Sequence, residues 1–129
     1  MKRVLLNILV TVGLIAVHVP VDAAKRGWFP RRAGECGWVY GRYGVYNGSG
    51  LSRIWIVGTS HMVNQRDDDD SPVPPQLNLS SGHYPGLGGT PMDMVFGNFY
   101  ICATEPFKRG QMQHVTILKA RNLRLAPKS

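Results

Sequence analysis

From residue 36 onward, apolar side chains tend to recur at every second position, in runs bounded by Gly, Pro and Asn. A period of two is the signature of strands with one face covered. Four stretches carry it. The first, CGWVYGRYGVYN (36–47), is rich in aromatics and valine but is broken by Gly37, Gly41 and Gly44. Glycines inside such a run predict bends or bulges, as in a coiled strand that closes a small barrel. NGSG (47–50) predicts a tight turn into the second strand, LSRIWIVGTSHMV (51–63), whose centre is apolar on both faces. The third, MVFGNFYICAT (94–104), sets Phe99, Ile101 and Ala103 against Asn98, Cys102 and Thr104. The fourth, QMQHVTILKARNLRL (111–125), reads as one strand or as two short ones divided near Ala120 to Asn122. No helical stripe appears after the N-terminal stretch. The expected fold class is all-β: a small antiparallel barrel of OB-like form, or a two-layer sandwich.

The first residues change the picture. Lys2 and Arg3 precede an apolar run from Val4 to Val19, then Pro20 and the small residues of VDAA. That is the plan of a secretory signal peptide, predicted here over residues 1–23. The run is short for a membrane-spanning helix, and His18 and Pro20 spoil its end. The remaining chain divides into a basic N-terminal segment, 24–34, and a single β domain, 35–126, with a long Pro/Gly/Asp-rich loop at 65–93. The expected localisation is periplasmic or secreted. In an oxidising compartment Cys36 and Cys102, the only cysteines, are expected to form a disulfide; buried free thiols are the alternative.

Charge adds direction. Without residues 1–23 the chain carries 13 basic and 7 acidic residues, and four of the acids are the run Asp67 to Asp70. The rest of the surface is therefore cationic and attracts anionic partners at long range. Those considered are an anionic envelope polymer, a lipid surface or an acidic protein, with nucleic acid ranked below them. KRGWFPRR (25–32), with four cations around Trp28 and Phe29, fits an anionic surface, or else is simply a mobile terminus. The acidic run, followed by Pro72, Pro74 and Pro75, is expected to stay solvated and mobile. It lacks the spaced oxygens and turn glycine of a calcium loop. His61, His83 and His114 show no metal-ligand spacing, and Ser60 beside His61 points to the opposite strand face. No cofactor, metal or catalytic residue is expected.

RIWIVGT is the most distinctive unit. Alternation places Arg53 and Trp55 on one face, where a guanidinium beside an aromatic ring can hold an anionic or planar group. Tyr84, from the long loop, is expected to reach over them. The competing expectation is structural: Arg53 forks onto a carboxylate such as Glu35 or Asp93, and Trp55 covers the barrel.

Taken together, GRYGVYNG, RIWIVGT, VFGNFYIC, GQMQHVTI and ARNL resemble a family of short exported bacterial proteins with no assigned activity. The resemblance covers most of residues 36–125 outside the acidic part of the loop. It departs after Gly58-Thr59, where the family commonly has a basic residue and this chain has Ser60 and His61. It implies an exported domain and brings no catalytic residues. The function expected is non-catalytic binding in the envelope. Binding of an anionic polymer or nucleic acid is the first alternative, and a small hydrolase or metal-dependent enzyme the second.

Overall fold

The computed structural model describes residues 25–46, 51–66 and 73–128; the predicted signal peptide, the NGSG turn and the Asp67 to Asp70 run lie outside them. Among the described residues five strands form: β1 (Cys36–Tyr46), β2 (Leu51–Ile56), β3 (Met62–Arg66), β4 (Val95–Ala103) and β5 (Gln113–Leu125). They close into a barrel in the order β1-β2-β3-β5-β4. The barrel, not the sandwich, is the architecture. All neighbours are antiparallel except β3 and β5, which run parallel over a short contact. No α-helix occurs among the described residues; the long connection holds one 3₁₀ turn, Pro75–Leu77.

The inward positions are those the alternation marks. Val39 and Tyr43 of β1, Ile54 and Ile56 of β2, Val63 of β3, Phe99 and Ile101 of β4, and Val115 and Ile117 of β5 are buried together. β1 is long because it pairs with β4 through Cys36 to Tyr43 and with β2 through Gly41 to Tyr46. At the crossover Gly41 stands opposite Gly97, and a Cβ on Gly41 would lie 2.3 Å from Ile54 Cγ2 and 2.8 Å from the Trp55 carbonyl oxygen. Glycine is required there by close backbone approach, not by turn conformation.

The second predicted strand divides in two. Gly58 takes a φ of +88°, the Thr59 N–H donates to the Ile56 carbonyl, and the Ile56 N–H donates to the His61 carbonyl. The turn shifts the inward positions by one residue, from Ile54 and Ile56 to His61 and Val63, and the short GTSH segment between apolar runs conceals it when the stretch is read as one strand. β5, in contrast, is a single strand. It absorbs the irregularity near Ala120 to Asn122 as bulges, with Asn122 at φ 54° and register shifts opposite Phe96/Asn98 and Tyr100/Ile101. Where β3 and β5 diverge, the Ile117 N–H donates to Gln65 Oε1 at 2.6 Å, so a side chain closes the seam.

Both barrel ends are plugged from outside the strands. At one end the long loop delivers Leu77 and Tyr84 into the core. At the other, Phe29 of the basic N-terminal segment is 4% exposed and packs with the same cluster. That segment is thus part of the domain, not a mobile terminus. Cys36 and Cys102 are register partners on β1 and β4 and form a disulfide across 66 positions.

Candidate functional site: an aromatic and cationic barrel wall

The five strands contain six cations (Arg42, Arg53, Arg66, Lys119, Arg121 and Arg124) and no Asp or Glu. The acids of the described residues lie in connections, where they accept from backbone amides. Glu35 takes the Arg31 N–H, Asp93 the Thr90 N–H and Glu105 the His114 N–H. Among the described residues the strand wall therefore carries cations and no carboxylate of its own.

Register sorts this charge into a pattern. Trp55 on β2, Arg42 on β1, Phe96 on β4 and Arg124 on β5 are direct cross-strand partners, a row of alternating ring and cation across four strands. A parallel row sets Trp38 opposite Tyr100 and Tyr100 opposite Lys119. Between them Tyr40 faces Asn98, and Asn98 faces Arg121. Each cation lies over a ring: Arg42 at 5.2 Å from the Trp55 centroid, Arg124 at 5.3 Å from Phe96, Arg121 at 5.1 Å from Trp38, Lys119 at 5.5 Å from Tyr100. Arg124 Nη2 also donates to the Tyr40 hydroxyl at 2.9 Å. The rings hold the stems and heads of flexible side chains in place, which lowers the entropy lost when an anion is bound. An open hollow of about 690 Å³ lies over the first row, between Arg26, Tyr40, Trp55, Phe96 and Arg124.

The residues singled out in the sequence separate here. Trp55 sits in the row, its indole N–H donating to the Thr59 carbonyl at 2.8 Å, and so ties the wall to the β2–β3 turn. Arg53 also points outward but lies over Tyr46 at 4.4 Å, beside β3, with its Nε buried and unpartnered. Neither Glu35 nor Asp93 meets it; both are engaged as above. Tyr84 does not reach over this face. It is fully buried, its ring 6.4 Å from inward-pointing Tyr43 and its hydroxyl donating to the Asp93 carbonyl. A loop rich in apolar residues gains more by filling the barrel end than by standing in water. The row partners Arg42, Phe96 and Arg124 were not singled out. Alternation marks them as outward, but only register brings them together.

His61 belongs to the opposite barrel end. It is 7% exposed, packed between Phe29 and Phe107, and hydrogen-bonded through Nε2 to Gln113 Oε1 at 2.8 Å. Gln113 spends its amide N–H groups on the Pro30 and Glu105 carbonyls, so its oxygen is the acceptor and His61 Nε2 the donor. Burial lowers the His61 pKa below the usual imidazole value; the Gln113 bond opposes this, and the Arg31 charge adds to it. The unfolded chain therefore binds the proton first. This contribution to stability is complete above about pH 6.5 and is lost as pH falls below it. Urea unfolding at pH 7.5, 6.5 and 5.5 should show that loss, and His61→Gln should flatten it. Parallel losses in wild type and variant would reject the assignment.

Among the described residues no three His, Cys, Asp or Glu side chains are grouped so as to hold a metal ion. No protein-family model, curated protein or solved structure matches the chain.

Proposed function

We propose that this protein is a non-catalytic binding module of an exported or envelope compartment, and that its outer barrel wall binds an anionic polymer. The observation that carries the reading is the Trp55–Arg42–Phe96–Arg124 row on strands that contain no acidic residue. Regularly spaced, pre-oriented cations match a chain of repeated negative charges better than they match one small ligand. The rings already carry cations on their faces, which favours charge recognition over base stacking and so an anionic glycan-like polymer over single-stranded nucleic acid. The disulfide is consistent with an oxidising compartment.

Heparin serves as the probe polymer. Binding should weaken linearly in log K against log salt. Arg42→Gln with Arg121→Gln and Arg124→Gln should cut affinity at least tenfold at low salt and reduce the slope by about three, since each neutralised anion releases about one counterion. Outward substitutions of this kind should leave thermal unfolding nearly unchanged. No binding at 50 mM salt, or an unaltered slope in the triple variant, sinks the reading. Equal or tighter binding of an oligothymidine of matched charge would move the assignment to nucleic acid.

A further inference from the structure

A second cavity, of about 500 Å³, opens at the barrel end plugged by Phe29 and shares no residue with the wall hollow. Three separate segments build it: the N-terminal arm (Phe29, Arg31), the β2–β3 turn (Thr59, Ser60, His61) and the β4–β5 connection (Phe107, Arg109). One buried residue ties them together. Gln113, 1% exposed, accepts from His61 and donates to Pro30 of the arm and Glu105 of the connection, the two donated bonds both at 3.0 Å. A pocket whose three walls share a satisfied buried amide is formed before any ligand arrives.

Its lining has two chemistries. The inner wall is mostly apolar: Phe107 stands edge-on to Phe29 at 5.1 Å and to the His61 ring at 4.8 Å, and His61 in turn covers Phe29 at 4.2 Å. The rim is cationic. The Arg31 guanidinium lies over the Phe29 ring at 3.7 Å and stands 5.4 Å from Phe107, and Arg109 contributes a second positive charge. Among the described residues no acid lines the cavity. Glu35 and Glu105, which lie close in sequence to Arg31 and Phe107, accept from the Arg31 and His114 amides. A guanidinium stacked on a ring keeps its N–H edge free for a carboxylate, which it can grip with two parallel bonds.

We infer that this pocket binds a small carboxylate with an apolar aromatic body, the body packed against Phe107 at the mouth of the Phe29–His61–Phe107 cluster and the carboxylate on Arg31 and Arg109. The site is independent of the polymer-binding wall. It takes a single compact anion where the wall takes a chain. The volume lies within the range of small-molecule sites, and a two-ring aromatic acid fits it.

2-Naphthoate is the probe and 2-naphthamide its neutral counterpart, both titrated into the full mature chain and followed by amide chemical shifts. Naphthoate should shift residues of the three pocket segments and bind at least tenfold more tightly than naphthamide. Arg31→Ala and Arg109→Ala, both at exposed positions, should each weaken naphthoate severalfold and leave naphthamide unchanged. The triple wall variant should bind naphthoate as wild type does, which separates a failure here from a failure of the wall. The inference is overturned if the shifts fall on the Trp38 and Trp55 face, if acid and amide bind equally, or if folded Arg31→Ala and Arg109→Ala bind naphthoate normally. Absence of any shift at millimolar probe overturns it as well.

Discussion

Replacing Cys36 and Cys102 together by alanine is expected to lower the unfolding free energy by about 4 kcal/mol. The figure follows from the 66-position separation, because a crosslink of that span removes much of the open chain's freedom. Total stability of a small domain is usually about 5–15 kcal/mol, so a loss of this size is a large fraction of it. The bond also sits where it matters for closure. Cys36 begins β1 and Cys102 lies near the end of β4, and these strands pair along Cys36 to Tyr43. Just beyond the bond, the Ala103 N–H donates to the Glu35 carbonyl and the Gly34 N–H to the Ala103 carbonyl, fastening the N-terminal arm that carries Phe29. Urea unfolding of the double variant, beside wild type with and without reductant, measures the effect. A change below about 1 kcal/mol would mean that the reduced unfolded chain is already compact there.

The barrel was legible because its evidence is local. Alternation in β1 and β4 places Val39, Tyr43, Phe99 and Ile101 inside, where the structure has them. The cysteines were legible because two strand-borne thiols leave one intramolecular pairing. The β2–β3 hairpin was not, since residues 57–61 turn on a single glycine without a proline, and so short a polar break reads as part of one strand. The wall was half legible. Trp55 stood out by its motif, but its row partners Arg42, Phe96 and Arg124 lie 13, 41 and 69 positions away from it, and only register joins them. Gln113 gave no signal at all: a glutamine at the head of a strand looks like any surface residue. Its role exists only because the arm, the turn and the β4–β5 connection meet around it.

Tyr84→Ala should cost about 4 kcal/mol, the usual scale for deleting a buried aromatic ring. A lid residue would behave otherwise, losing no more than about 1 kcal/mol and weakening only capture of a partner. The structure favours the first outcome on three counts. The ring has no exposure and stands edge-on to Tyr43, whose hydroxyl in turn donates to Ser52 Oγ inside the barrel. The backbone that presents it is fastened, since Tyr84 and Gly88 exchange both N–H bonds at 3.0 Å. The phenol itself is satisfied by the Asp93 carbonyl at 3.2 Å. Alanine would leave a cavity at the barrel mouth that these constraints prevent from collapsing. Tyr84→Phe keeps the ring and removes only the hydroxyl, so it should cost about 1 kcal/mol. Burial, and then the neighbouring Tyr43 and Asp93, push the Tyr84 pKa well above the phenol value, so the unfolded chain ionises first. Its contribution is therefore held below about pH 10 and lost as pH rises beyond it, and the Phe variant lacks that loss. Urea curves for both variants at neutral pH, and for Tyr84→Phe and wild type at alkaline pH, test the assignment. If Tyr84→Ala unfolds within 1 kcal/mol of wild type, the ring is no plug, and the long loop does not close the barrel.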